Sequence, residues 1–312
     1  MALILAGSAA MAQEEQPATN QAEQTENTSQ VAEPVFGLQA TSFTFVVGAQ
    51  ASFDGNFDDV PGSVTVFRQS ASLMASIPVQ PRTQLNITFD TEHAGFDFED
   101  ATDFVPGSDE PFENLWRHRI SLRAAHVHDE TWTFLGGGAI TSAGESGANF
   151  GDTITGRIFA GFLYRVSPTF QIGLGAGLVT RLEDNAVLLP LPLIQLSYAF
   201  DDKTTLTINT FEDVSLAHQI SEQFAVILSA SYQFDEYRLA DDGPVPEGVF
   251  SHWRVPIGLT GRWTPSSTIT ASLTAGVDVY QNYRIEDSSG DRVVDTRVDP
   301  ALFLSAALRI RF

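Results

Sequence analysis

The chain has 312 residues, 43% of them hydrophobic, and carries a formal net charge of −22 with no cysteine. The acidity argues against nucleic acid as a partner, and the missing thiols exclude disulfides, thiolate metal sites and a lipid-modified N-terminal cysteine. No run of eighteen apolar residues occurs, which excludes a helical membrane span but not a β-barrel, whose alternating strands average to a mean hydropathy as close to zero as the observed −0.02.

Residues 1–12 read MALILAGSAAMA, a short apolar run ending in the small-x-small triplet Ala10-Met11-Ala12. This pattern predicts a signal peptide cut after Ala12. No Lys or Arg precedes the apolar run, so the start codon is expected upstream. Residues 13–35 are rich in Gln, Glu, Thr and Asn and almost devoid of apolar anchors. Such a stretch cannot bury enough area to offset its ordering entropy and reads as a disordered periplasmic tail.

From 36 to 312 the dominant signal is a period of two. Leu302, Leu304, Ala306, Leu308, Ile310 and Phe312 alternate with Phe303, Ser305, Ala307, Arg309 and Arg311. Ile269, Leu273, Val277 and Val279 alternate with Thr270, Ser272, Thr274 and Asp278, and Phe224, Val226 and Leu228 with Ala225, Ile227 and Ser229. One set suits lipid and the other a polar interior. Tight turns, as at Pro81-Arg82, Asp129-Glu130 and Ser167-Pro168, alternate with longer acidic segments near 53–63, 93–115, 144–152, 240–249 and 284–298. Two shorter links, 183–186 and 211–213, fall in the same outer series. The expected fold is an all-β, transmembrane up-and-down antiparallel barrel of about fourteen strands, with twelve as the alternative, short turns in the periplasm and long loops outside. Trp253 and Trp263 lie on one strand face, and ten residues at ~3.3 Å, tilted roughly 40°, span the apolar band of about 25 Å.

The ending Leu308-Arg309-Ile310-Arg311-Phe312 resembles the C-terminal signature of bacterial outer-membrane proteins. That resemblance implies recognition by the barrel assembly machinery, with Phe312 as the assembly signal. It places the chain in the outer membrane of a Gram-negative cell, among lipid and lipopolysaccharide. The stretch from Tyr164 through Pro190-Leu191-Pro192 to Leu239 also resembles a family of uncharacterised outer-membrane barrels, a domain of unknown function. Its motifs are strand-and-turn patterns that transfer no functional residue.

Assigning faces by alternation turns Arg68, Arg117, Arg119, Arg123, Arg157, Arg165, Arg181, Arg254, Arg262, Arg309 and Arg311 inward. The inward carboxylates are Asp90, Glu92, Asp235 and Asp278. A lumen with more arginine than acid is either a salt-bridge network filling the barrel, with Asp90 and Glu92 pairing Arg119 and Arg117, or the lining of an anion-favouring path. A passive porin-like channel is therefore expected, a non-conducting structural barrel being the alternative. Phe159 and Leu163 should face Gly177 and Gly173, a packing device rather than a phosphate loop. The segment Leu188–Leu193, apolar on both faces with two prolines, breaks the pattern.

Chemistry is sparse. No HExxH or comparable spacing occurs, so neither a metal nor a cofactor is expected. His118 and His126 fall on the lipid side, and loop acids such as Asp54, Asp58 and Asp59 suggest at most divalent cations bridging to lipopolysaccharide. His93 with Asp97 and Glu99 is the nearest approach to a catalytic group of a lipid-modifying enzyme, and no partner serine is evident, so the chain is read as a non-enzyme.

Overall fold

A computed structural model describes residues 41–312 apart from 106–107, 109, 183–188 and 211–212. The predicted signal peptide and tail, and the links at 183–186 and 211–212, lie outside the described residues. Strands β1 (Ser42–Asn56), β2 (Ser63–Gln80), β3 (Thr83–Glu99), β4 (Asn114–Val127) and β5 (Trp132–Glu145) are followed by β6 (Ile154–Ser167), β7 (Phe170–Val179), β8 (Leu189–Ala199), β9 (Thr204–Asn209) and β10 (Val214–Ser221). Then come β11 (Phe224–Ala230), β12 (Gln233–Arg238), β13 (Val249–Trp263), β14 (Ile269–Glu286), β15 (Arg292–Val298) and β16 (Ala301–Arg311).

From β1 to β11 each strand pairs antiparallel with its successor, and β16 closes the ring on β1. β11 and β12 are halves of one wall strand, both paired with β13, and β15 and β16 are halves of another, both paired with β14. The sixteen segments therefore make a closed fourteen-stranded antiparallel barrel. At the seam the Phe312 amide donates to the Phe43 carbonyl at 2.8 Å, and the reciprocal bond is 3.2 Å.

The alternation sorts side chains as expected. Outward Leu302, Leu273, Ile140, Ile158 and Ile120 are exposed, whereas inward Arg119, Asp278 and Phe303 are buried. So much exposed apolar surface is incompatible with a water-facing wall. Outward rings collect at the turn-side rim: Trp132 packs on Tyr164 at 4.7 Å, Tyr198 on Phe200 at 4.9 Å, and Phe312 is 72% exposed. In two of the turns a carboxylate organises the backbone. Asp129 accepts from the Thr131 and Trp132 amides, and Asp201 from Lys203 and Thr204. These amides hold both carboxyls below the usual carboxylate range.

Two sequence expectations need correction. Residues 284–298 are not a loop: β14 runs to Glu286 and β15 begins at Arg292. Asp287 and Asp291 lie in the short turn, and Glu286 and Asp295 sit on the outward face, where Asp295 pairs Arg284 at 3.4 Å and Arg292 at 3.2 Å, while Ile285, Val294 and Thr296 turn inward and are buried. β3 likewise continues to Glu99 and β1 to Asn56, so several strands rise well above the apolar belt.

The proline-rich segment is strand β8. Its outer part pairs with β7 from Leu189↔Val179 to Leu193↔Gly175, but its pairing with β9 begins only at Gln195↔Asn209. Ile194 exchanges bonds with Thr210 on the β9 side, and its carbonyl accepts from the Thr210 amide at 3.0 Å. Residues of the same parity present their backbone to that side, where the Thr210 hydroxyl donates to the Pro192 carbonyl, so Pro190 and Pro192 place their missing N–H on an edge without a strand partner among the described residues. This is the position in a sheet where proline costs least.

Candidate functional site: a tiered lumen with a sealed outer half

Three tiers of inward side chains stack along the barrel. In the lower tier Ser72, Ser121, Arg123, Arg157, Ser272, Arg309 and Arg311 are half-buried, while Ser42, Thr44, Ser76, Gln84 and Thr133, nearer the turns, are buried. Above it lies a buried charge tier of Arg68, Glu92, Arg117, Arg119, Asp235, His252, Arg254 and Asp278. The outermost tier is aromatic.

The charge tier is built by strand register. Glu92↔Arg117 and Asp90↔Arg119 are cross-strand pairs of β3 and β4. Arg117 bonds Glu92 at 2.7 Å and also Asp235, which lies on β12 at the far side of the interior. Arg119 donates to the Thr141 hydroxyl at 3.2 Å. Arg68 reaches from β2 to the His252 ring on β13 at 3.4 Å, and Arg254 lies 4.0 Å from Asp278. The Tyr237 hydroxyl approaches Glu92 at 3.5 Å. Satisfaction is incomplete: both Asp278 oxygens, the Arg254 Nε and Nη1, the His252 Nε2 and the Tyr283 hydroxyl have no hydrogen-bond partner among the described residues. Each such group costs about 1–3 kcal/mol, so this tier is filled without being optimally stable.

The aromatic tier seals the outer mouth. Phe57, Phe96, Phe104, Phe112, Phe250 and Tyr283 are nearly solvent-free, and Phe104 and Phe112 come from the segment between β3 and β4, which folds inward. Ring centroids lie 4.7 Å apart for Phe57–Phe104, 4.4 Å for Phe112–Phe250 and 5.2 Å for Phe250–Tyr283. Each buried ring contributes about 1.5–3 kcal/mol by burial, so the plug is a core in its own right.

β12 is what narrows this half. After Ala230 the chain leaves β10, follows β13, and meets β5 through a parallel bridge at Arg238↔Gly144. Asp235 and Tyr237 thereby face the plug side. Glu236 faces the opposite way and receives Arg181, which follows β7, at 2.6 Å. Arg238 donates to the carbonyls of Asp152, Glu247 and Leu182. At the outer rim Glu145 accepts from the Ala240 amide at 2.9 Å, and its burial pushes its carboxyl up.

The inward arginines therefore divide. Arg68, Arg117, Arg119 and Arg254 sit in the buried tier, and Arg181 is an outer-end strut against β12 rather than a lining group. Arg123, Arg157, Arg262 and Arg309 lie lower, opposite Gly137, Ala139, Ser272 and Val46 respectively. Phe159 does face Gly177, and Leu163 faces Gly173. With Leu135, Leu193 and the Gly161 backbone they border a cavity of about 70 Å³ whose polar lining is Arg123, Gln195 and Asn209. His93 points outward, bonds Asn114 at 2.9 Å and packs on Trp116 at 4.4 Å. His118 and His126 bond Thr91 and Thr83 on the outer wall, both at 2.9 Å. Among the described residues no three His, Asp or Glu side chains converge to hold a metal. Sequence reading missed the aromatic plug. Its one signal was Phe104 and Phe112 in an otherwise acidic segment, together with inward rings at the outer ends of β3, β13 and β14.

A closed antiparallel barrel with an apolar outer belt, polar inner tiers, and β1 starting and β16 ending on the short-turn side is a membrane-spanning β-barrel. More narrowly, the chain belongs to the family described as Domain of unknown function (DUF6268), whose profile matches residues 118–311. None of the curated proteins compared matches it. Among solved structures it is similar to the COG4313 outer membrane channel from Pseudomonas putida F1, at 8% identity and a TM-score of 0.48 over 91% of this chain and 100% of that one. It is also similar to a Pseudomonas aeruginosa FadL homologue, at 10% identity and 0.45 over 86% and 90%. A third is the P. putida toluene transporter TodX, at 8% identity and 0.43 over 88% and 90%. At these distances no substrate or route passes from those proteins to this chain.

Proposed function

We propose that the protein is an outer-membrane channel for small solutes, with a basic lumen and an outer mouth closed in this conformation. The observation that carries the reading is the sorting of the interior, with arginines along a half-buried lower tier and a buried charge tier and aromatic plug closing the half above it. Arg123, Arg157, Arg262, Arg309 and Arg311 line the lower tier and favour anions there. Phe312, exposed at the seam, serves as the signal read by the barrel assembly machinery. The unsatisfied groups of the charge tier support a plug that can rearrange, because new partners for them would offset part of the Arg117 ion pairs lost when it does.

The test is conductance in planar bilayers. Wild-type protein should conduct weakly. The double variant Phe104→Ala, Phe112→Ala should open long-lived, anion-preferring events. A folded double variant that stays silent would favour the second reading, a non-conducting structural barrel, for which the filled outer half is also the supporting observation.

A further inference from the structure

The inner wall carries one hollow that its own side chains leave unfilled. Phe159, Gly161 and Leu163 are successive inward positions of β6, and Gly161 brings no side chain to the middle one. The two large neighbours lean apart. A Cβ on Gly137 of β5 would lie 2.9 Å from two atoms of the Phe159 ring, and one on Gly173 of β7 would lie 2.5 Å from Leu163 Cδ2. The ring thus lies over Gly137 and the leucine over Gly173, on opposite sides of Gly161. Glycine at 161 is itself required, because a Cβ there would come within 2.7 Å of the Leu174 carbonyl. Register supplies the rest. Arg123 of β4 lies opposite Gly137, Leu193 of β8 opposite Gly175, and Gln195 between Gly173 and Asn209. The result is the cavity of about 70 Å³, walled by Leu135, Phe159, Leu163 and Leu193 and carrying Arg123, Gln195 and Asn209 as its polar groups.

No carboxylate of the described residues borders this cavity. Glu92 and Asp235 hold Arg117, Asp278 lies by Arg254, and Asp90 stands opposite Arg119 in the tier above. Asp213 accepts from the Asn209 amide through its backbone carbonyl at 2.8 Å but is not part of the lining. An occupant therefore has to bring the counter-charge of Arg123 and accept from two side-chain amides, while offering apolar surface to four hydrophobic side chains. Chloride and phosphate fail the second condition, since the leucine walls would strip water from a charge without replacing it. Neutral hydrocarbons fail the first, since they would strip water from the guanidinium. On the measure by which one water needs about 10–15 Å³, the cavity takes about five water-sized groups, enough for two carboxylate oxygens and about three carbons.

We propose that this hollow is a binding site for short-chain monocarboxylates of about three carbons, whose carboxylate meets Arg123, Gln195 and Asn209 and whose alkyl end rests on Gly161 between Phe159 and Leu163. The inference rests on the channel reading and names its class of solute: the basic lower tier draws an anion in, and this part of the wall sorts it by size and by one apolar end. The planar guanidinium matches the two oxygens of a carboxylate, and the amides donate to the same oxygens. A dicarboxylate is selected against, because its second charge would fall among leucines.

Binding is read by NMR, with no transport involved. Protein carrying labelled leucine methyl groups is refolded into phosphatidylcholine nanodiscs and titrated with propionate at constant ionic strength. The Leu135, Leu163 and Leu193 resonances should move and saturate while the outward Leu273 stays still. Propionamide, which lacks the charge, succinate, which has one too many, and phosphate, which has no apolar end, should each bind at least about tenfold more weakly. Arg123→Gln should weaken propionate by a similar factor, whereas Arg82→Gln, which removes a charge from an exposed turn, should leave it unchanged. If Arg123→Gln does not fold, as judged by heat-modifiable gel mobility, Gln195→Leu replaces it and should weaken propionate several-fold. Shifts that do not saturate, that phosphate or propionamide reproduces at equal concentration, or that survive both variants would overturn the site. Propionate binding by a barrel that is silent in planar bilayers would defeat the channel reading and leave the site standing. Conductance without binding would do the reverse.

Discussion

Arg117→Met is the sharpest single test of how the outer half is held shut. The guanidinium is buried and bonds two carboxylates, Glu92 on the neighbouring strand and Asp235 on β12. Methionine keeps the stem volume and removes the charge. What remains is a pair of carboxylates facing each other in a nearly dry tier, with the Tyr237 hydroxyl as one further donor at 3.5 Å. Breaking a buried pair from one side costs about 3–5 kcal/mol, most of it the penalty of the charge left behind. At about 1.4 kcal/mol per decade, local opening of β12 should become at least 100-fold more frequent. Hydrogen exchange of the β12 amides, followed in nanodiscs, reads this directly, and urea unfolding followed by tryptophan fluorescence reads the global part. Arg119→Met is the comparison. Arg119 donates to Thr141 within the wall and spans no gap, so its loss should leave β12 exchange near the wild-type rate. The triple variant Arg117→Met, Glu92→Gln, Asp235→Asn removes the stranded charges and should recover most of the stability. An Arg117→Met barrel within about 1 kcal/mol of wild type, with β12 amides no faster, would refute the claim that this ion triad anchors β12.

Three other outcomes follow from local geometry. Gly276→Ala places a Cβ against the Ile257 carbonyl and the Phe303 ring, and since the carbonyl cannot yield, the urea midpoint should fall by the equivalent of about 1–3 kcal/mol. Phe312→Ala should sharply reduce the heat-modifiable, folded fraction in outer membranes while leaving refolding into detergent close to normal, which separates assembly from stability. Asp129, held below the ordinary carboxylate range by the Thr131 and Trp132 amides, stabilises its turn fully above the unfolded-chain value and loses that contribution as pH falls through the folded value. NMR titration should find its pKa below the ordinary carboxylate value, and Asp129→Asn should weaken the acid dependence of exchange at Trp132.

The wall was legible because each strand carries its own evidence. Alternation in Leu302–Phe312 or Ile269–Val279 needs no knowledge of the rest of the chain, and the face assignments of Arg117, Glu92, Phe159 and Leu163 followed from parity and from the turns. The interior was less legible because its contacts join residues far apart in sequence. Arg117 meets Asp235 and Arg68 meets His252 across 118 and 184 positions, distances fixed by how far β12 swings inward rather than by any local pattern. Acidity misled the reading of 284–298: charge was taken as a loop signal, but above the bilayer the outward face of a strand is also wet. The prolines of β8 could not be explained until one edge was seen to lack a strand partner among the described residues.

The same asymmetry links these features to one another. If every strand were as long as β2, the outer half would be a uniform cylinder, and β12 would have to stay in register with β10. Because β9 and β10 stop early, the chain leaves β10 at Ala230 and β12 bends toward β5. That bend brings Asp235 to Arg117 and Tyr237 and Phe250 to the plug. Closure of the axial mouth thus follows from where β9 and β10 end. Lengthening β9 and β10 by four residues each in the β-period, with outward apolar and inward polar side chains, should therefore loosen the plug. Hydrogen exchange should show β12 amides losing protection as Asp235 is drawn away from Arg117. An extension that leaves β12 exchange at the wild-type rate would refute the link between the short strands and the plug.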